Sequence, residues 1–201
     1  MFNSSDHRYF IKHFNTFLNP SMRKSYNIEF KYIFKKRKYD CNSMIVVFSG
    51  FGATGNFTYD FINVLNEINS AVLWIKDDFY GNAAYYYSVN GREIHTTVNA
   101  FILDIAQKNN ILKDNIILSG FSKGGSAALF YALKYNYSKI IATVPQIRIA
   151  TYCKKSHQDV LTHMLGNDHS DEKFECLNQC IQEALAQSNS EKNISVHDKN
   201  R

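Results

Sequence analysis

The stretch Ile116-Ile-Leu-Ser-Gly-Phe-Ser-Lys-Gly-Gly-Ser-Ala-Ala-Leu129 confines this chain to few folds. An apolar run suited to a buried strand, Asn115 to Ser119, leads through a turn of small residues into the helix-forming run Ala127-Ala-Leu-Phe-Tyr-Ala-Leu133. The turn contains G-x-S-x-G as Gly120-Phe121-Ser122-Lys123-Gly124. This pattern suits a serine held in a strained backbone conformation at the top of a sheet. The residues two before and two after it must be small, so that strand and helix can approach closely. Gly120 and Gly124 meet that need, and Gly125, Ser126 and Ala127 continue the small face. Ser122 is therefore the nucleophile candidate. A plain Gly/Ser turn between sheet elements is the structural alternative. A Walker-type phosphate loop is excluded, because Lys123 precedes the glycine pair instead of following it.

The rest of the chain repeats the alternation. Residues 1–25 are aromatic, basic and Asn-rich, and Phe10, Phe14 and Phe17 at near-helical spacing predict a short helix on the edge. Asn27 to Phe34 alternates with period two, as a half-buried strand does. Met44-Ile-Val-Val-Phe48 is a continuous apolar run for a strand buried on both faces. The segment Lys35 to Lys38 between them reads as an exposed turn, and this hairpin-like entry predicts one antiparallel strand at the start. Helices are expected near Tyr59–Asn66, Ile94–Lys108, Lys123–Tyr135 and Asp171–Gln187, with strands at Ala71–Ile75, Asn115–Ser119, Lys139–Val144 and Asn193–His197. Strands alternating with helices imply an α/β fold with a mostly parallel sheet flanked by helices. No repeat, low-complexity segment or linker divides residues 1–201, so one domain is expected, with 1–25 as an extension and 145–190 as a lid or helical segment.

A second glycine-rich turn, Gly50-Phe-Gly-Ala-Thr-Gly55, fits G-x-G-x-x-G after a buried strand, and the acidic pair Asp77-Asp78 follows the next strand. Together they allow a dinucleotide site. Against it, Asn56, Phe57 and Tyr59 stand where helix and strand would need small residues, and an antiparallel strand precedes the motif. An α/β-hydrolase-type fold accounts for both turns at once. There the loop after the earlier strand gives one backbone N–H of an oxyanion hole, and the residue after the nucleophile gives the other. Phe51 or Gly52 together with Lys123 are then the expected donors.

A serine nucleophile needs a base and an orienting acid, in chain order Ser, Asp/Glu, His. Asp198, at the end of Ile194-Ser-Val-His-Asp, is the acid candidate. The histidine should come later still, past another strand and helix that the sequence lacks before Arg201. His157, His163, His169 and His197 are substitutes for the base, whereas His95 reads as a surface or capping residue at a helix start.

Composition narrows the partners. Hydrophobic residues make up 45% and charged residues 20%, an ordinary soluble balance, and the net charge is a modest +5. The basic run at Lys35–Lys38 has no aromatic interleaving, so no nucleic-acid partner is expected. No apolar run approaches the ~20 residues of a membrane span, and the N-terminus does not resemble a secretory signal. A cytoplasmic protein is expected. Cys41, Cys153, Cys176 and Cys180 show no disulfide or zinc spacing, and reduced thiols with no metal and no organic cofactor are the expectation.

Asp77-Asp-Phe-Tyr-Gly-Asn-Ala-Ala-Tyr-Tyr-Tyr87, an extended helix, and then Asn115-Ile-Ile-Leu-Ser-Gly-Phe-Ser-Lys-Gly-Gly125 resemble two related groups. These are the XcbB/CpsF-type capsular polysaccharide biosynthesis proteins and the α/β-hydrolase-like proteins of accessory Sec systems. The resemblance spans roughly residues 44 to 198, with S-G-F-S-K-G-G as its most specific piece. It implies a bacterial esterase or acyltransferase with Ser122 as nucleophile, working on a small-molecule or glycan substrate beside other surface-polysaccharide assembly proteins. A non-catalytic binding module of the same fold is the alternative. Tyr85, Tyr86 and Tyr87 are candidates for an aromatic wall against a sugar ring, or for core packing.

Overall fold

The computed structural model describes residues 10–15, 27–52, 59–167 and 169–188. In chain order the elements are β1 (Phe10–Asn15), β2 (Asn27–Lys35), β3 (Met44–Phe48), α1 (Ile62–Glu67), β4 (Ala71–Ile75), the short pair β5 (Ser88–Val89) and β6 (Arg92–Glu93), α2 (His95–Lys108), β7 (Ile116–Phe121), α3 (Lys123–Lys134), β8 (Lys139–Thr143), α4 (Ile149–Ser156), α5 (Gln158–Leu165) and α6 (Asp171–Gln187).

The main sheet has the order β1-β2-β4-β3-β7-β8. β4, β3, β7 and β8 run parallel, and β2 runs antiparallel to both of its neighbours, β4 and β1. The mostly parallel α/β fold expected from the alternation is present, with two departures. Phe10–Asn15 forms an edge strand on β2, in register from Phe10 opposite Tyr32 to Asn15 opposite Asn27, and not a helix. Pairing with the open edge of β2 satisfies a row of backbone groups that local aromatic spacing does not report. β2 in turn pairs with β4 and not with β3, so Lys35–Lys38 does not close a hairpin. Lys35 is the last residue of β2, and its ammonium donates to the carbonyls of Leu65 and Ile68 at the end of α1, at 2.7 and 2.6 Å. A cation there complements the helix dipole.

Period-two alternation divides the buried strands between two cores. On β4, Ala71, Leu73 and Ile75 join the main core, and Val72 and Trp74 pack with Ile33 and Val47 on the other side, beneath Ile62 and Leu65 of α1. The main core takes the apolar residues of α2 and α3 and of α4–α6. α6 is capped by Ser170, whose Oγ accepts the Lys173 N–H at 3.3 Å, and its first turn carries Asp171 and Glu172. Among the described residues, no helix is long and apolar enough to cross a membrane. The segment Asn193–His197 lies outside the described residues, as does Asp198.

His95 is buried, contrary to the expected surface position, because the first turn of α2 packs it against Tyr87, Phe130 and Tyr135. Its Nδ1 lies 2.6 Å from the Tyr135 hydroxyl. Burial holds the imidazole well below its ordinary 6.5, at about 4. The unfolded chain therefore binds a proton between these values that the folded chain refuses. This group should cost no stability above pH 6.5, and remove on the order of 3 kcal/mol as the pH falls to about 4. Urea unfolding of wild type and H95Q across that window checks this. The variant should show the flatter pH dependence.

Candidate functional site

β7 lies between β3 and β8 in the sheet, and its C-terminal end delivers Ser122 to the turn before α3. Ser122 has φ 53° and ψ −120°, a conformation that costs an L-residue on the order of 1–3 kcal/mol. Its own backbone holds it there. The Ser122 N–H donates to Thr143 O at 2.9 Å, and its carbonyl accepts from Ser126 N at 3.0 Å. The small residues expected around it are sterically required. A Cβ on Gly120 would lie 2.2 Å from the Gly124 carbonyl, one on Gly124 would lie 2.1 Å from Phe48 O, and one on Gly125 would lie 2.8 Å from Thr143 O. The close approach of β3, β7 and β8 to the start of α3 thus dictates three glycines, and the serine takes the strain beside them.

The backbone N–H groups of Lys123 and Gly124 open α3, where a helix has no internal acceptor for them. Such donors favour negative charge. The other expected donors, Phe51 and Gly52, lie in the loop after β3, past Ser49 and Gly50. Their loop is tied down by Asp60, whose Oδ2 accepts the Gly50 N–H at 2.7 Å. Gly55 lies outside the described residues.

The Lys123 side chain turns inward. Its Nζ is buried 2.6 Å from Asp77 Oδ2, between the rings of Phe51 and Tyr86 at 5.3 and 5.2 Å from their centroids. Burial lowers the Lys123 pKa, and the Asp77 charge opposes that shift. Asp77 also accepts the N–H groups of Ala84 and Tyr85, both at 2.9 Å. Asp78 pairs with Lys31 at 3.0 Å. Both carboxylates of the acidic pair are thus engaged within the protein. Tyr85 and Tyr86 are core residues, 1% and 0% exposed, and form no wall for a ligand. The Tyr86 hydroxyl donates to Ile75 O at 2.6 Å and accepts the Ser49 N–H at 2.7 Å. Tyr87 is partly buried against the same core.

Gln146 is the residue that sequence reasoning missed. Its Nε2 donates to Ser122 Oγ at 2.8 Å. It carries no motif, and its only signal is its place just past β8, the strand next to the turn. Among the described histidines, His163 Nε2 lies 2.8 Å from Phe79 O and His169 Nδ1 lies 3.2 Å from Gly166 O. His157 stacks on Phe51 with centroids 3.9 Å apart and the planes 17° from parallel. His197 and Asp198 lie outside the described residues. The described cysteines are free thiols, with Cys153 and Cys180 pushed up by burial to about 11 and about 12. No group of three or more His, Cys, Asp or Glu among the described residues could hold a metal ion.

The family model described as the accessory Sec system GspB-transporter matches residues 23–195. Comparison with curated protein sequences finds no match. Among solved structures, the chain is similar to the capsule O-acetyltransferase of Neisseria meningitidis serogroup A, with TM-score 0.72 and 23% identity, over 93% of this chain and 78% of that one. It is also similar to a chain of the glycosylation-associated protein (Gap123) complex from Streptococcus agalactiae, with TM-score 0.67 and 20% identity, over 85% of this chain and 34% of that one. The fluorophosphonate-binding serine hydrolase FphF of Staphylococcus aureus follows, with TM-score 0.57 and 14% identity, over 90% and 75% of the two chains. At such identities the likeness establishes the fold, which is α/β-hydrolase-like.

Proposed function

This chain belongs to the accessory Sec system GspB-transporter family, and on that premise we propose that it is a serine esterase or acyltransferase acting through Ser122 in bacterial capsular or surface-polysaccharide biosynthesis. The observation that carries this reading is the strained backbone of Ser122 at the start of α3, with glycines enforced on both sides. A turn that costs energy and presents a hydroxyl beside the N–H groups of a helix start suits covalent catalysis. In this reading the N–H of Lys123 and that of Phe51 or Gly52 hold the oxyanion, and Gly120 and Gly124 let the turn form. Asp198 orients the base, which is sought at His157 and His197, because the rings of His95, His163 and His169 bond elsewhere. In this reading segment 145–190 is a lid or helical segment, which Gln146 beside Ser122 and His157 against Phe51 support. Acyl transfer through a serine ester needs neither metal nor organic cofactor.

The proposed substrates are an acyl donor and a glycan or small-molecule hydroxyl, handled in the cytoplasm with other surface-polysaccharide assembly proteins as partners. The capsule O-acetyltransferase and glycosylation-associated neighbours lend support to that substrate class. A fluorophosphonate probe should label the wild-type chain at Ser122 and leave S122A unlabelled, with H157A and H197A identifying the base by the loss of rate. A folded wild-type protein that stays unlabelled would favour the second reading, a non-catalytic glycan-binding module. That reading draws on one observation: the described partner of Ser122 Oγ is an amide and not an imidazole.

A further inference from the structure

Gln146 is built into the site more firmly than a loop residue needs to be. It follows Val144, with φ 48°, and Pro145. Its backbone N–H donates to Ser126 Oγ at 2.7 Å, and the same hydroxyl lies 2.9 Å from the Gln146 carbonyl, to which it donates. Ser126 belongs to α3 one turn beyond Ser122, so these bonds tie the loop after β8 to the start of the helix. The side-chain Oε1 lies 3.4 Å from the Tyr85 hydroxyl and 3.3 Å from Ser126 Oγ. The Tyr85 hydroxyl donates toward that oxygen, and the amide turns its NH2 toward Ser122 Oγ, at 2.8 Å.

We infer that Gln146 is a catalytic residue that stabilises negative charge on Ser122 Oγ itself, an assignment that rests on Ser122 being the nucleophile. In the resting site Gln146 occupies a lone pair of Oγ and leaves the O–H free to turn toward an imidazole base. During attack the Oγ–H bond breaks and the proton passes to that base. An Oγ electron pair forms the bond to the acyl carbon, and the carbonyl π pair moves onto its oxygen, which faces the helix N–H groups. The oxyanion pair then re-forms the carbonyl and expels the donor's leaving group, which takes the proton from the base and leaves acyl-Ser122. In the second half, water or an acceptor hydroxyl adds to the same carbon and gives its proton to the now neutral base. Collapse then expels Oγ with the bonding pair, and the base returns a proton to it. Oγ carries its greatest negative charge just before its bond to carbon forms and just after that bond breaks. A donor at hydrogen-bond distance strengthens in both states, since bonds to charged acceptors are about twice as strong as neutral ones. Gln146 thus acts on the nucleophile and leaving group, and the backbone donors act on the oxyanion.

The test uses the full chain with two variants of about the same size as glutamine. Q146M, which lacks the donor, should slow both fluorophosphonate labelling and turnover of an activated acetyl ester by about 10- to 100-fold. Its KM and melting temperature should remain close to wild type. Q146E should be slower still above neutral pH, where a carboxylate faces Oγ. Its rate relative to wild type should climb as the pH falls toward ~5, where the protonated carboxyl donates again. A role confined to packing would move neither the kcat-against-KM split nor that pH-dependent ratio. Q146M within about twofold of wild type, or Q146E as fast as wild type above neutral pH, overturns the role of Gln146 alone. A folded wild-type chain that takes no label overturns the Ser122 reading and this inference with it.

Discussion

Asp77→Ala is expected to destabilise the fold by at least about 3–5 kcal/mol, the range for removing one partner of a buried ion pair. Asp77 is 0% exposed and Lys123 is 1% exposed, so the change strips a buried ammonium of its ion-pair partner. It also orphans the N–H groups of Ala84 and Tyr85, each worth roughly 1–3 kcal/mol when buried without an acceptor. Against a total stability of about 5–15 kcal/mol, these losses bring the domain close to unfolding at room temperature. K123M should cost less, because the carboxylate left behind keeps both amide donors. That ordering, D77A well below K123M in urea midpoint, is the informative result. Equal midpoints, or D77A within about 1 kcal/mol of wild type, would show that the pair is not the buried link drawn here. The link has a functional side as well. Lys123 Nζ lies between the ring of Phe51 and Asp77, so it joins the two backbone segments proposed to form the oxyanion hole. A mild variant such as D77N should lower acylation of Ser122 more than its loss of stability alone accounts for.

The second large effect is expected at Gly124. By helix propensity, Gly124→Ala near the start of α3 would stabilise by up to about 1 kcal/mol. Packing reverses the sign. The new methyl would lie 2.1 Å from Phe48 O and 2.9 Å from Phe48 C, both backbone atoms of β3 that no rotamer change can move. Strand and helix would have to separate by about an ångström or more, at a cost above about 3 kcal/mol. Gly120→Ala should behave alike, with its Cβ 2.2 Å from the Gly124 carbonyl, and Gly125→Ala should cost less, since its nearest contact is 2.8 Å. Chemical denaturation ranks the three. A stabilised G124A would mean that β3 and α3 do not meet at this point. Because the same separation would relax Ser122, labelling of any folded G124A should fall as well.

Much of this architecture was legible in the residues. Buried parallel strands announce themselves as continuous apolar runs, and β3, β4 and β7 were found within one or two residues. The turn at Ser122 was legible because close approach of two backbones leaves only glycine at Gly120 and Gly124, whatever else the protein contains. The edge was harder. Phe10, Phe14 and Phe17 carry helical spacing, yet β1 is a strand, because an open edge on β2 offers hydrogen bonds that outweigh a weak local preference. Pairing order was hidden for a related reason: nothing in Lys35–Lys38 reveals that β4 will insert between β2 and β3. The tyrosine run illustrates the same limit, since an aromatic side chain packs a core as readily as it lines a pocket.

The sequence by itself determined the α/β class and the strand–turn–helix that carries Ser122, because both follow from local rules of periodicity and of space for a Cβ. Only the tertiary structure decided what surrounds that serine. Asp77 comes from the loop after β4, Phe51 from the loop after β3 and Gln146 from the loop after β8, and the sheet order alone brings the three to one end of the sheet. Residues 24 to 71 positions from Ser122 in the chain meet there through long-range pairing of strands. Spacing along the sequence does not encode such proximity, which is why the glycines could be read in advance and the glutamine on the nucleophile could not.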